Sequence, residues 1–136
     1  MKQTILSILT VILTLCATSW LLTACKDTNT KQENVVPAYE GTYLDEDNNE
    51  PNLHINYRTT DGKYDVQIGI YRLTYLDDGI GTTGDEGLAF TATDAAGNPI
   101  AGIITLHGDT ATVTFTDTSW ELIEPGAQFH YVRHRF

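Results

Sequence analysis

The stretch NLHINYRTTDGKYDVQIGIYR, residues 52–72, decides the fold class. Residues of a strand alternate between two faces, so a half-buried strand shows apolar and polar residues in turn. In residues 52–58, Leu53, Ile55 and Tyr57 share one face and His54, Asn56 and Arg58 the other. TTDGK follows, with Asp61-Gly62 as a tight hairpin signal. In residues 64–72, Tyr64, Val66, Ile68 and Ile70 point inward, with Asp65 and Gln67 outward. Two antiparallel strands around a short turn result, each with one greasy face that needs a partner layer.

The same pattern extends outward. YEGTYL (39–44) reads as a first strand. LAFTATD (88–94) and PIAGIITLHG (99–108) flank the turn AAGN. HGDT (107–110) turns into ATVTFT (111–116), where Val113 and Phe115 point inward between outward threonines. QFHYVRHRF (128–136) closes the chain as a strand. No window sustains a helical period, and SWELIE (119–124) supports one turn at most. The sequence therefore predicts an all-β domain of about seven strands, an antiparallel meander curled into a small barrel or sandwich. Tyr57, Ile68, Phe90 and Phe115 are expected to decide whether its interior is filled or hollow.

The amino-terminal part has another character. After Lys2, no charge occurs from Thr4 to Ala24, and KDTNTKQENVVP (26–37) is polar. A basic start followed by an apolar run and a small residue is the layout of a secretory signal; an uncleaved membrane anchor is the alternative. Leu22-Thr23-Ala24-Cys25 resembles the lipobox of bacterial lipoproteins. The resemblance implies a thioether-linked diacylglycerol on Cys25, cleavage after Ala24 and acylation of the new amino terminus. Each buried methylene contributes about 0.8 kcal/mol, so several acyl chains anchor firmly. The expected organisation is a signal peptide (1–24), a lipidated cysteine with a flexible tether (25–37), and one β domain (38–136). By the same resemblance, Lys26 after the cysteine favours the outer membrane, and Asp27 is compatible with display at the cell surface.

Charge narrows the partners. The chain holds 8 Lys and Arg against 18 Asp and Glu, a formal −10. Loss of the signal with Lys2 would leave seven basic residues and raise this to −11. Such a balance argues against nucleic acid, whose phosphates require Lys and Arg clusters. It favours a cationic partner, or serves solubility. Of the two cysteines, Cys16 would leave with the signal and Cys25 would be acylated, so no disulfide is expected.

The β domain also resembles the calycin, or lipocalin-like, barrels. That family carries Gly-x-Trp on its first strand and packs an Arg from near the last strand across it. Gly41-Thr42-Tyr43, with Tyr for Trp, and Arg133 or Arg135 correspond to those parts. The resemblance implies a meander barrel, with another small meander or sandwich as the alternative.

Site candidates are few. In LDEDNNEPN (44–52), Asp45, Asp47 and Asn49 alternate beside Glu46 and Glu50, a spacing that can aim oxygens at a calcium ion. The glycine of an EF-hand loop is missing, Glu50 standing in its place, and Asn56 stands where the closing Glu would be. Ordinary turn chemistry is the competing explanation. DDGIGTTGDEG (77–87) reads as a long acidic loop, with Asp77, Asp78, Asp85 and Glu86 as partner contacts. His130 and His134 lie roughly 13 Å apart if both are on one strand, too far to share a metal. A zinc site would need His54 or His107 to join one of them in the fold; surface or rim positions are the competing explanation. Ser119, the one serine after Cys25, has no nucleophile elbow. Trp120, Tyr71, Tyr75, Phe129 and Tyr131 either line a pocket or plug the barrel ends. The expectation is a membrane-anchored, non-catalytic binding domain without a cofactor. Its partner is a small apolar ligand in the barrel or a cationic protein. In the second case the domain is an inhibitor, of an enzyme such as lysozyme, or an accessory subunit in the envelope.

Overall fold

The computed structural model describes residues 37–136; the signal, Cys25 and residues 25–36 of the expected tether lie outside them. Eight strands follow one another around a closed antiparallel barrel. They are β1 Gly41–Asp45, β2 Pro51–Tyr57, β3 Tyr64–Ile70, β4 Thr74–Gly84, β5 Gly87–Thr93, β6 Pro99–His107, β7 Thr110–Asp117 and β8 Gln128–Arg133. Each strand pairs with its neighbours in sequence, and β1 pairs with β8 through Tyr43–Arg133, Leu44–Val132 and Asp45–Tyr131 to close the ring. Closure leaves no free edge to recruit another chain.

Alternation sets the wall. In β2, Leu53 and Ile55 face inward; in β3, Tyr64, Val66, Ile68 and Ile70; in β5, Leu88, Phe90 and Ala92; in β7, Ala111, Val113 and Phe115. Eight strands enclose a space just wide enough for side chains to fill. Here they fill it: Tyr43, Tyr131, Phe90 and Phe115 are among the largest fully buried groups, with Phe90 and Phe115 edge to face at 5.8 Å. Leu53, Ile55, Val66, Ile68, Leu88, Ile104 and Val113 have no surface accessible to water, inside or out. An apolar interior under a threonine-rich exterior is the reverse of a barrel whose wall faces lipid.

Two expectations are corrected. Residues 77–87 are not a long loop. Thr74–Gly84 forms β4, and Asp85 and Glu86 make the turn into β5. Between Val66–Gly79 and Ile68–Leu76 the register slips by one residue, a bulge that places Asp77 and Asp78 opposite Gln67. Beyond it the inward positions belong to Gly79 and Gly81, and the one apolar residue, Ile80, faces out at 42% exposure. Tyr57, expected inward, ends β2 and is 37% exposed, its ring 5.1 Å from that of Tyr64.

Glycine is obligatory at two inward positions: a Cβ on Gly79 would overlap the Val66 carbonyl, and Gly102 is as tightly placed. A Cβ on Gly102 would overlap the Thr114 carbonyl and come within 2.8 Å of the Phe90 ring. The bare backbone is what lets the Phe90 ring approach β6 so closely.

Candidate functional site

The two ends of the barrel differ. Call the near end the one at which the described chain enters at Pro37, with the turns joining β2 to β3, β4 to β5 and β6 to β7. It is plugged by aromatics: Tyr39 meets Tyr64 edge to face at 6.1 Å, beside Tyr57. Arg133 fastens this end. Its guanidinium lies 4.8 Å over the Tyr43 ring and donates to the Tyr43 hydroxyl and the carbonyls of Ala38 and Glu40, each at 2.7 Å. Arg135 instead donates to Asp109 at 2.7 Å, and this pairing raises its pKa.

The far end holds the β1–β2, β3–β4 and β5–β6 turns and the long β7–β8 connection. Trp120 and Ile123 from that connection pack against the core and close the barrel there.

Charge is divided between the ends. In the near half, Arg58, Lys63, Arg133 and Arg135 face Glu40, Asp61, Asp65, Asp85, Glu86 and Asp109, four basic residues against six acidic. Arg58 pairs with Asp61 at 2.8 Å and with Asp65 at 3.2 Å. In the far half, Arg72 is the one basic residue among the described residues. Against it stand Asp45, Glu46, Asp47 and Glu50 around the first turn. Asp77 and Asp78 sit at the bulge, Asp94 follows β5, and Asp117, Glu121 and Glu124 border the β7–β8 connection.

Some of these carboxylates are committed to the backbone. Asp45 is buried; one oxygen accepts from the Asp47 amide at 2.8 Å and the other from the Asn52 side-chain amide at 3.2 Å. Asp94 is buried and accepts from the amides of Ala96 and Asn98, both at 2.9 Å. Asp78 accepts from the Thr93 amide at 2.9 Å, and bonding to Thr93 lowers its pKa. The bulge turns Asp78 toward β5, where its carboxylate holds the amide of that strand's last residue.

The sequence candidates therefore scatter. Asp77 and Asp78 lie in the far half and Asp85 and Glu86 at the near end, roughly 20 Å away along β4. Asp45, Asp47 and Asn49 share one turn, but Asp45 is spent on holding it. Among the described residues no group of three or more His, Cys, Asp and Glu side chains is placed to hold a metal ion. His54 and His130 bond to Thr42 and Thr112 on neighbouring strands, at 3.2 and 3.1 Å. His134 lies beyond β8 with its ring against Phe136.

Among the described residues, concavities on the wall include two that border carboxylates. One, of about 220 Å³, lies between the first turn and the start of β8, lined by Asp45, Glu46, Asp47, Gln128, Phe129 and His130. The other is an open trough of about 260 Å³ along β4 to β6, bordered by Asp78, Ile80 and Thr91. The sequence gives no warning of the first, because its two walls are some eighty residues apart and meet only when β8 closes on β1. No known protein family, curated protein or solved structure matches this chain.

Proposed function

We propose that the protein is a lipid-anchored, non-catalytic binding domain of the bacterial cell envelope whose acidic far end receives a cationic protein. The single observation that carries this reading is the division of charge, one basic residue against ten acidic in the far half. Opposite potentials steer encounter and are screened by salt. The packed interior favours a surface role over an apolar ligand inside the barrel. Residues 22–25 support the anchor on Cys25, and Lys26 supports outer-membrane placement, with surface display open through Asp27. The meander topology and Arg133 lying across Tyr43 support a distant kinship with calycin barrels. An inhibitor of a cationic enzyme such as lysozyme fits this arrangement, as does an accessory subunit with a basic neighbour.

The test compares matched neutralisations. Asp47→Asn with Glu50→Gln and Asp85→Asn with Glu86→Gln remove the same charge from opposite ends. The expected result is low-salt binding of lysozyme by the unmodified protein, weakened by the first pair and by added salt but not by the second pair. Equal weakening by both pairs, or no binding at low salt, would overturn the reading. Mass spectrometry of the native protein checks the anchor, with Cys25 expected as an acylated amino terminus.

A further inference from the structure

Charge does not explain the exposed apolar side chains of the far end, Tyr71, Tyr75 and Leu122, and Leu122 stands out among them. At 62% exposure it is the most exposed large apolar side chain of the described residues apart from the terminal Phe136. A lone exposed leucine is ordinary on a protein surface. This one differs in what holds it and what surrounds it. Ile123 beside it is buried, and Trp120 packs on the core. The Ile123 amide donates to the Trp120 carbonyl at 3.1 Å and the Ala127 amide to the Glu124 carbonyl at 3.0 Å. Gly126 and Phe115 fix the return: the Gly126 amide donates to the Phe115 carbonyl at 2.7 Å and the Phe115 amide to that of Ala127 at 3.0 Å. Leucine 122 is thus presented by a connection anchored on both sides, and binding would spend little on ordering it. Glu121 and Glu124 flank it, both exposed.

We infer that the β7–β8 connection is the contact element of the acidic end, with Leu122 entering an apolar depression rimmed by Lys or Arg on a folded cationic protein. The inference rests on the acidic-end reading and adds the element and the shape of the partner's surface. Interfaces place a desolvated apolar anchor inside a polar rim, and Leu122 between two glutamates supplies both parts. A cationic polymer offers the charge without the depression, which separates the two ideas.

The experiment measures binding of the full-length protein, in non-ionic detergent, to lysozyme and to polylysine, for the unmodified chain, Leu122→Ala and Leu122→Asn. Leu122→Asn keeps the size of the side chain and removes its apolar character. Both variants are expected to melt with the unmodified protein. Both should lose at least about tenfold in affinity for lysozyme, with polylysine binding unchanged. Affinity for lysozyme within about twofold of the unmodified protein in both variants would overturn the inference while leaving the charge reading intact. Binding of polylysine without lysozyme would overturn it too. Failure of the unmodified chain to bind either probe would sink the acidic-end reading first, and this inference with it.

Discussion

Tyr131 reaches across the barrel from β8, and its hydroxyl donates to the Gly69 carbonyl on β3 at 2.8 Å. Burial pushes its phenol pKa far up, with Asp45 and Asp47 adding to the effect. A raised pKa means the folded state keeps the proton. The associated stability is whole below the ordinary tyrosine range near pH 10 and is lost as pH climbs toward the folded value. Tyr131→Phe should cost about 1–3 kcal/mol at neutral pH by stranding the carbonyl, and its stability should fall less steeply above about pH 10. Denaturant melts across that range check both. Asp78 runs the other way. Its carboxyl, held down by Thr93, contributes stability above the ordinary carboxylate pKa near 4 and loses it as pH falls further. Asp78→Asn should therefore melt below the unmodified protein at neutral pH, and the gap should close in acid. A gap independent of pH would remove the charge-assisted bond to Thr93 as its cause.

At the scale of elements, the seam between β1 and β8 is the thinnest joint. Three residue pairs close it, and Arg133 ties it to the segment before β1. Lysine keeps the charge but cannot donate in three directions from a planar fork or stack as well on Tyr43. Arg133→Lys should cost about 2 kcal/mol, and hydrogen exchange should show β1 and β8 losing protection before β5 and β6. Uniform loss of protection would mean that the seam is not the weak joint. β4 shows how an element hides from pattern reading. Its bulge at Asp77–Asp78 shifts the inward phase by one residue, and Gly79 and Gly81 then take the inward positions without side chains. Past the bulge the one apolar residue, Ile80, faces solvent, so alternation is absent there although the strand continues. Tyr57 misleads in the opposite sense: its phase is inward, but at the rim Tyr64 takes the covered place against Tyr39 and Tyr57 packs on its outer side, partly exposed.

For the whole molecule, charge governs the response to solution conditions. Repulsion among the far-half carboxylates opposes folding, and salt screens it. The melting temperature is expected to rise by a few degrees as sodium chloride goes from near zero to about 0.15 M, and the Asp47→Asn, Glu50→Gln variant to respond less. A fall with salt would mean that the Arg58 and Arg135 ion pairs outweigh the repulsion. The strand pattern, the short turns and the acidic balance were legible in the chain because each is a local property: side-chain period, turn chemistry and charge count. Seven of the eight strands announce themselves in this way, down to Val113 and Phe115 between their threonines. The filled interior, the separation of Asp77 and Asp78 from Asp85 and Glu86, and the gathering of carboxylates at one end belong to the tertiary structure alone. Ring closure decides them, since it determines which turns share an end and which side chains meet across the core, and no stretch of sequence contains both partners of such a contact.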